Sequence, residues 1–447
     1  MSTVGVVGAG LVGCLAALGL SKKGYKVTIL ELRDDPRKSQ NKNLRSINLA
    51  VSNRGINALE YVDPELAEIV LSKVIPMTGR MIHNLEGVQT SQNYGLTGKE
   101  AINSIDRSYL NELLLNEVEK AGITLKFNHK LDRIDFNNDN GNPILKFIGN
   151  EIEPLEFDFI IGADGSFSKV RQNLQKFIRM DYQQEYIDCG YLELSIPGGG
   201  PQQNEFLLDK NHLHIWPRDK FMLIALANLD GSFTSTFFAP WDILEKLSND
   251  DAVLEFFEKY FKDSVELIGK DHLLKCFRDH PRGSLLTLNC KPYHFANKVI
   301  VIGDAAHSMV PFYGQGMNCG FEDVYVLLKL LEQEKDVGAA FSKYSETRYK
   351  DLASILELAK ENYKEMSHKV NSKVFLLKKQ IDFILTRILK DKWLPLYTMI
   401  SFRQDIMYSK AVEVHQRQDK ILKIIQNVIL GAAVFGASRV YKYLTQK

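Results

Sequence analysis

The chain has 447 residues, of which 45% are hydrophobic and 25% are charged, a composition typical of globular proteins with two or more domains. Its formal net charge of +1 gives no indication of a polyanion-binding protein. Basic patches interleaved with aromatic residues, which mark nucleic-acid-binding proteins, are not evident. The five cysteines are scattered without a C-x-x-C pair, which favours a reducing compartment and argues against a metal site.

The first third of the chain predicts parallel strands joined by helices. An apolar strand over residues 3–7, a helical pattern to about Lys23 and a second strand ending at Glu31 form a β-α-β unit. The other elements predicted before residue 180 are helices over 54–73 and 106–120 and strands over 124–129 and 158–161.

From residue 182 the pattern changes to short strands separated by turn residues, which predicts an antiparallel sheet. The clearest of these strands cover 191–196, 213–217, 221–228 and 232–238. A parallel-type strand returns at 298–302, and residues 322 to 423 are mostly helical, with an interruption near Trp393–Pro395. The first and third sections share a pattern, so one nucleotide-binding domain is predicted to be interrupted by the sheet.

The predicted fold class is therefore α/β (α+β overall), a Rossmann-like domain interrupted by an antiparallel-sheet domain and followed by C-terminal helices. We expect the sheet domain to hold a substrate and the helical region to close the site. The predicted boundaries are 1–75, 105–180 and 291–335 for the Rossmann-like domain, 76–104 and 181–290 for the sheet domain, 336–420 for the helical region and 421–447 for a tail.

The motif G-x-G-x-x-G occupies Gly8, Gly10 and Gly13, between the first strand and the first helix. Gly8 allows a tight turn, Gly10 lets a phosphate approach the backbone, and Gly13 lets helix and strand pack closely. A pyrophosphate would then lie at the helix N-terminus. Glu31 ends the second strand, where a carboxylate accepts a hydrogen bond from a ribose hydroxyl. This fingerprint fits NAD and FAD equally well.

Two more strands end in aspartate, at Asp164 and Asp304. An aspartate after a strand is also a common helix N-cap, which is the simpler interpretation of either residue alone. Three acidic strand ends nevertheless fit an extended cofactor such as FAD better than NAD. The ribityl chain of FAD carries hydroxyls that need an acceptor, and Asp304 is the candidate.

These three motifs, in this order and spacing, resemble those of the flavin-dependent aromatic hydroxylases, and the resemblance covers residues 1 to about 420. Several longer segments resemble one branch of that family, in a form similar to the fungal members. They are L-R-S-I-N-L-A-V-S at 44–52, G-R-M-I-H at 79–83, H-I-W-P-R at 214–218, P-F-Y-G-Q-G-M-N at 311–318 and P-L-Y-T-M-I-S-F at 395–402.

The resemblance implies an activity. NADPH would reduce bound FAD, and O2 would form a flavin C4a-hydroperoxide that hydroxylates L-kynurenine to 3-hydroxykynurenine, a step of tryptophan degradation towards NAD. Three alternatives stay open. They are a hydroxylase of another aromatic acid, a flavin-binding membrane scaffold without turnover, and an NAD-dependent dehydrogenase.

The resemblance also implies cofactor contacts. We expect Gly314 and Gly316 to let the backbone reach the flavin ring, and the helix N-terminus near Met317 to face the ring edge. With the fingerprint and the acidic strand ends, the predicted cofactor residues are Gly8, Gly10, Val12, Gly13, Leu30, Glu31, Leu32, Arg33, Ala50, Arg107, Leu131, Asp164, Asp304, Gly316, Met317 and Asn318.

For the substrate, the resemblance implies contacts from Arg80, Tyr94, Asn362 and Tyr397. An arginine suits a substrate carboxylate because its guanidinium binds both oxygens at neutral pH. An ion-paired surface arginine is the simpler interpretation of Arg80 taken alone.

No catalytic residue is assigned with certainty, because the flavin carries the chemistry. Phe312 is expected beside the substrate ring, and Gln315 is expected to form a hydrogen bond with the substrate. His83, His212 and His214 are candidates for a general base. A structural role is favoured for all three histidines, since no partner carboxylate is evident.

Residues 424–438 form a mostly apolar stretch with lysine or arginine on either side. Its 15 residues fall short of the roughly 20 that span a bilayer, so a helix docked on the core is one interpretation. The glycines and the cationic flanks favour a short membrane anchor instead. The resemblance implies the mitochondrial outer membrane, with the catalytic part in the cytosol.

Overall fold

The computed structural model describes residues 1–38, 48–95, 98, 100–136, 141–149, 152–367 and 373–445. Residues 44–47 of the motif at 44–52, and residues 446 and 447 of the predicted tail, lie outside these ranges. In chain order the strands are β1 (Thr3–Val7), β2 (Lys26–Leu30), β3 (Leu49–Val51), β4 (Ile75–Met77), β5 (Gly79–His83), β6 (Gln89–Asn93), β7 (Ile102–Ile105), β8 (Thr124–Lys126), β9 (Leu131–Asp135), β10 (Ile144–Phe147), β11 (Leu155–Glu156), β12 (Phe159–Gly162), β13 (Asp181–Ile196), β14 (His212–Arg218), β15 (Phe221–Ala227), β16 (Phe233–Ala239), β17 (Gly283–Lys291), β18 (His294–Phe295) and β19 (Val299–Val301).

The α-helices are α1 (Leu11–Lys22), α2 (Asn53–Val62), α3 (Pro64–Leu71), α4 (Arg107–Lys120), α5 (Lys169–Leu174), α6 (Trp241–Lys246), α7 (Asp250–Tyr260), α8 (Lys262–Ile268), α9 (Lys270–Asp279), α10 (Gly316–Gln333), α11 (Val337–Ser367), α12 (Lys373–Leu389), α13 (Leu396–Ser401) and α14 (Tyr408–Thr445). Short 3-10 turns cover Gly303–Ala305, Pro311–Tyr313 and Lys390–Lys392.

A six-stranded sheet has the order β18-β19-β12-β1-β2-β8 and is parallel except for β18. The strands β1, β12 and β19 are buried along almost their whole length, as expected for a sheet covered on both faces. The predicted β-α-β unit is confirmed. Because strands β1, β2, β12 and β19 are parallel, their carboxyl ends, which carry the glycine motif and the acidic residues, meet at one edge.

A seven-stranded sheet has the order β17-β13-β16-β15-β14-β5-β6. It is antiparallel, as predicted, apart from the parallel pairing of β14 with β5. One face packs on helices α6–α9, and this core contains Trp216, Phe237, Phe257 and Phe261. The sequence analysis placed no helices there. The proposed domain boundaries stay a prediction.

The predicted helix over residues 54–73 is divided into α2 and α3. Asp63 has extended backbone angles and its carboxylate accepts hydrogen bonds from the N–H groups of Glu65 and Leu66, while Pro64 occupies the first position of α3. A residue before proline disfavours helical angles, so the break follows from the sequence. The predicted interruption near Trp393–Pro395 is confirmed between α12 and α13.

Helix α14 runs without a break from Tyr408 to Thr445 and includes most of the predicted tail. Ile424, Val428 and Phe435 are each more than 60% exposed, so this part of α14 is not docked on the core as the alternative interpretation required. Among the described residues, no helix combines the length and the apolar character needed to cross a membrane.

Candidate active site

A cavity of about 520 Å³ lies between the carboxyl ends of the parallel strands and the seven-stranded sheet. It brings together fourteen of the sixteen predicted cofactor residues, and only Gly13 and Asn318 are not in its wall. The fourteen are Gly8, Gly10, Val12, Leu30, Glu31, Leu32, Arg33, Ala50, Arg107, Leu131, Asp164, Asp304, Gly316 and Met317.

The three glycines of the fingerprint differ in their surroundings. Gly8 has a φ of +108°, and a Cβ there would lie 2.4 Å from the carbonyl oxygen of Ala163. A Cβ on Gly13 would lie 2.0 Å from the carbonyl oxygen of Gly8, so this glycine allows the close packing of α1. A Cβ on Gly10 would meet no atom within 4 Å. Gly10 therefore leaves the N-terminus of α1 open to the cavity.

Glu31 holds the glycine loop in place. Its Oε2 accepts a hydrogen bond from the N–H of Ala9 at 2.9 Å. Its Oε1 accepts bonds from the N–H and the Nε of Arg33, both at 3.1 Å. A carboxylate has about four lone-pair sites, so capacity remains for a ribose hydroxyl.

Asp164 combines the two interpretations that the sequence left open. Its Oδ2 accepts hydrogen bonds from the N–H groups of Lys169 at 2.7 Å and Val170 at 3.1 Å, at the start of α5. Its Oδ1 is buried and has no hydrogen-bond partner among the described residues. Burial raises the pKa of this carboxyl. An unpaired buried acceptor in a cavity wall points to a ligand that donates a hydrogen bond.

Arg171 ties the two aspartate segments together. Its guanidinium donates to the carbonyl oxygens of Ala305 at 2.6 Å and Ser166 at 2.7 Å. These carbonyls belong to the loops that follow β19 and β12, so the arginine fixes the relative position of both strand ends.

Asp304 lines the cavity. Its side chain is exposed to the cavity, while many protein atoms lie close around it. Burial raises the pKa of Asp304, while the Arg107 guanidinium opposes this effect. Arg107 lines the same cavity. An acceptor in this position suits the hydroxyls of a ribityl chain.

Asn318 supports the loop before α10 without lining the cavity. Its Nδ2 donates to the carbonyl oxygens of Ala50 and Gly314, both at 2.8 Å. Its Oδ1 accepts a bond from the N–H of Ser52 at 2.8 Å. The side chain therefore joins β3 to the loop. The first N–H groups of α10, which have no partner within a helix, begin at Gly316 in the cavity wall.

Arg80 lies at the end of the cavity that faces the sheet, and it is 7% exposed. Its Nη1 is 3.0 Å from Oε1 of Glu365, and its Nε has no hydrogen-bond partner among the described residues. The guanidinium lies 5.1 Å from the ring centroid of Tyr397. Tyr94 stacks on Tyr397 with ring centroids 5.0 Å apart. Three of the four predicted substrate residues therefore form one cluster.

An apolar pocket continues from Arg80 along strands β14 to β16 of the sheet. Phe312 is part of it, with its ring centroid 5.1 Å from that of Phe238. Its lining residues are Leu213, Ile224, Leu226, Phe238, Met309, Pro311, Phe312 and Met366.

Tyr94, Asn362 and Gln315 are not in the wall of this cavity; Tyr94 and Asn362 line a second cavity beside it. The Nδ2 of Asn362 donates to the carbonyl oxygen of Phe312 at 2.6 Å, so the amide positions the loop around Phe312. The Oε1 of Gln315 accepts a hydrogen bond from the hydroxyl of Tyr408 at 3.1 Å. The expected contact of Gln315 with a substrate has no counterpart in this geometry.

The three candidate histidines have structural partners outside the cavity. The Nδ1 of His83 is 3.0 Å from Oδ2 of Asp263, and its Nε2 is 2.9 Å from Nδ1 of His214. The Nε2 of His214 is 2.8 Å from the carbonyl oxygen of Asp209, whose carboxylate binds His212. These contacts favour a structural role for the histidines. The reason given for that role, the absence of partner carboxylates, was wrong, because Asp263 and Asp209 are such partners.

The hydrogen-bond partners of His83 and His214 determine which ring nitrogens carry a proton. Asp263 and the carbonyl of Asp209 each need an N–H, and the bond between His83 and His214 needs a third. Burial lowers the pKa of His214 to about 4, so its imidazole is neutral at neutral pH.

His307 and two residues of α10, Cys319 and Asp323, present ligand atoms within 4.8 Å of one another. Arg348 fills this cluster, because its Nε donates to Oδ1 of Asp323 at 2.9 Å. Burial alone would raise the pKa of Asp323, but His307 and Arg348 outweigh it and hold the pKa at about 2. A buried guanidinium already neutralises the carboxylate, so this cluster does not suit a cation.

The sequence analysis missed several residues of the site. Glu365 pairs with Arg80, and its position three residues after Asn362 on one helix face was a usable signal. The other missed residues in the cavity wall include Asn48, His129, Lys130, Phe167, Lys169 and Met366.

Comparison with known proteins agrees with this geometry. A family model described as an FAD binding domain matches residues 1–350. A kynurenine 3-monooxygenase of Candida albicans is 54% identical over 452 residues, covering 100% of this chain and 98% of that protein. The chain belongs to the kynurenine 3-monooxygenase family. A member of this family from Saccharomyces cerevisiae is 51% identical, covering 100% of this chain and 99% of that protein.

Solved structures show the same fold at lower identity. A tetrameric 2-methyl-3-hydroxypyridine-5-carboxylic acid oxygenase matches with a TM-score of 0.65 at 20% identity, covering 82% of this chain and 93% of that chain. Klebsiella pneumoniae HpxO, solved in complex with FAD, matches with a TM-score of 0.65 at 17% identity, covering 87% of this chain and 97% of that chain. The predicted fold class is confirmed, and so is the predicted kynurenine 3-monooxygenase branch of the hydroxylases.

Proposed function

We propose that this protein hydroxylates L-kynurenine to 3-hydroxykynurenine, using bound FAD, NADPH and O2. The observation that carries the proposal is one cavity that joins a dinucleotide fingerprint to a buried arginine through an apolar pocket. Relatives in this family carry the name kynurenine 3-monooxygenase at up to 54% identity over the full chain.

The residues of the cavity fit FAD. The space beside Gly10 and the N-terminus of α1 suit a pyrophosphate, and the unpaired Oδ1 of Asp164 suits a hydroxyl donor. Asp304 suits the ribityl hydroxyls, and the N–H groups at the start of α10 suit the pyrimidine edge of the ring. When bound, FAD supplies the redox and oxygen chemistry. The protein positions it and excludes water.

Arg80 is the proposed partner of the substrate carboxylate, because its Nε has no hydrogen-bond partner among the described residues and can donate to a ligand. Tyr94 supports the same end, because its buried hydroxyl has no hydrogen-bond partner among the described residues. Tyr397 packs against the guanidinium, and Asn362 positions the loop of Phe312. The substrate ring would occupy the apolar pocket. The aniline nitrogen enriches the ring in electrons, so no general base is needed beside it.

The test is incubation of the purified protein with NADPH, O2 and L-kynurenine, with flavin absorbance recorded alongside. Formation of 3-hydroxykynurenine in proportion to NADPH consumed is the expected outcome. NADPH consumption that yields only peroxide would remove L-kynurenine as the substrate, and a panel of aromatic acids would then identify the class. A colourless protein would exclude FAD as the cofactor. A flavin that stays oxidised under NADPH with every substrate tested would favour the scaffold alternative.

We also propose that the tail, residues 421–447, attaches the enzyme to a membrane, specifically the outer mitochondrial membrane on its cytosolic side. The exposed apolar side chains of Ile424, Ile425, Val428 and Phe435 support contact with lipid. Deleting the tail should move the protein from the membrane pellet to the supernatant. Full-length protein found entirely in the supernatant would contradict this attachment.

A further inference from the structure

A second cavity, of about 570 Å³, adjoins the first and lies among helices α11 to α14. Arg80, Tyr313 and Tyr397 line both cavities. The remaining wall consists mainly of helix side chains, among them Glu361, Glu365, Lys378, Lys379, Asp382 and Asp419. Tyr94 and Asn362, the other two predicted substrate residues, also line the second cavity. The side chains shared by both walls therefore separate this charged cavity from the apolar ring pocket.

The partition is built from stacked rings and one ion pair. Tyr397 lies between Tyr94 and Tyr313, with ring centroids at 5.0 Å and 5.6 Å. Arg80 lies beside Tyr397 and pairs with Glu365 at 3.0 Å. Arg80, Tyr313 and Tyr397 are shared by both walls, so movement of these side chains would connect the two cavities.

Two opposite charges in the second cavity have no ion-pair partner among the residues that the structure describes. Lys379 has no carboxylate within 4.0 Å among the described residues, and its contact is Oε1 of Gln92 at 3.5 Å. Burial lowers the pKa of Lys379 to about 8, and Arg80 acts in the same direction. Glu361 lines the same cavity, is exposed, and forms no ion pair with another described residue.

The neighbouring charges are already satisfied. Lys378 pairs with Asp419 at 2.7 Å, and Asp382 accepts a hydrogen bond from Nε1 of Trp393 at 2.9 Å. Within the described part of the wall, Lys379 has only a long hydrogen bond to an amide oxygen and a distant ring contact with Phe383, and Glu361 has no cation within 4.0 Å. A half-buried unpaired ammonium is costly unless a ligand supplies the missing anion.

We infer that the second cavity is a binding site for an α-amino acid zwitterion, through which the substrate reaches the ring pocket. Lys379 receives the carboxylate and Glu361 the ammonium. The carboxylate then moves to Arg80 as Glu365 releases the guanidinium. The inference rests on the proposed function and adds to it a route and two residues that bind before the catalytic pocket is reached.

The test follows the association of L-kynurenine with the oxidised, FAD-loaded enzyme without NADPH, by stopped-flow flavin fluorescence. The variant Lys379→Met should lower the association rate constant about tenfold, the low end of electrostatic effects on association. Lys379→Arg should restore the rate, because it keeps the charge. The matched control is Arg387→Met, which removes an exposed cation from the same helix and lines neither cavity.

A second arm uses the analogue of L-kynurenine that lacks the α-amino group. Glu361→Gln should slow association of L-kynurenine and leave that of the analogue unchanged. Equal association rates for Lys379→Met and the wild type would overturn the inference. So would a Glu361→Gln effect of the same size on both ligands. If the wild type forms no 3-hydroxykynurenine in the product assay, the proposed function fails. If it forms the product but the variants associate at the wild-type rate, only the proposed route fails. If Lys379→Met does not fold, Lys379→Gln replaces it with the same expected result.

Discussion

The hydroxyl of Tyr408 donates a hydrogen bond of 3.1 Å to the side-chain carbonyl of Gln315, and both residues are buried. This bond ties the first residue of α14 to the residue that precedes α10. Arg54 reinforces the same junction, because its guanidinium lies 4.0 Å from the ring centroid of Tyr408. Helix α14 therefore holds in place the loop before α10, which lies beside the proposed flavin site.

The first prediction concerns this bond. Gln315→Leu and Tyr408→Phe should each lower the free energy of unfolding by about 1–2 kcal/mol, because each leaves one buried polar group without a partner. The double variant should cost less than the sum. Urea denaturation measures these values. The Kd for L-kynurenine should stay within about twofold in Gln315→Leu, whereas a large rise would restore the predicted contact of Gln315 with substrate.

Arg80 should not tolerate lysine. Arg80→Lys keeps the charge but loses the planar fork that binds both oxygens of a carboxylate. We expect a loss of about 2 kcal/mol, or roughly thirtyfold in Kd for L-kynurenine. Arg278→Lys is the control, since Arg278 forms an exposed pair with Asp250. Titration followed by flavin fluorescence gives both constants, and equal Kd values for the two variants would argue against the clamp.

Gly10 and Gly13 should respond differently to the same methyl group. Gly10→Ala places its Cβ in open space, so the free energy of unfolding without FAD should change by less than about 1 kcal/mol. FAD affinity should fall at least about tenfold, because the methyl occupies the approach of the phosphate. Gly13→Ala should lower the free energy of unfolding without FAD by about 1–3 kcal/mol, because its Cβ would overlap the carbonyl of Gly8. Denaturation of the apoprotein and FAD titration distinguish the two effects. Reversed results would refute the assignment.

The His83–His214 chain predicts a dependence of stability on pH. The folded protein holds the pKa of His214 at about 4, below its ordinary value of 6.5, so the unfolded chain binds this proton first as pH falls. Stability from His214 is therefore complete above pH 6.5 and is lost between pH 6.5 and about 4, by up to about 3 kcal/mol. In the variant His214→Gln, the denaturation midpoint should change less with pH in that window than it does in the wild type. The same change at His280, which bonds the carbonyl of Glu193, is the control.

Much of the cofactor side could be predicted because its signals are local. The turn at Gly8, the open approach at Gly10 and the acid at the end of β2 lie within one β-α-β unit, where spacing fixes position. Asp164 and Asp304 follow the same logic, since parallel strands bring their carboxyl ends to one edge. The break at Pro64 and the helical periodicity after residue 316 are local in the same way.

The partners of these residues could not be predicted, because they come from distant parts of the chain. Glu365 lies 285 residues from Arg80, and Asp263 lies 180 residues from His83. Helices α6–α9 were missed since their apolar faces are defined by the sheet they cover. The pairing of Gln315 with Tyr408 likewise depends on where α14 docks.

The family, the nucleotide-binding unit and the residues at the strand ends follow from the amino-acid sequence, since they depend on short-range spacing and strand direction. The tertiary structure decided which side chains are free and which are already paired. Asn318 and Gln315 support the loop. Among the described residues, the Nε of Arg80 and the Oδ1 of Asp164 have no hydrogen-bond partner, and the ammonium of Lys379 has no carboxylate within 4.0 Å. Such availability depends on burial and long-range contacts, which chain order does not encode locally.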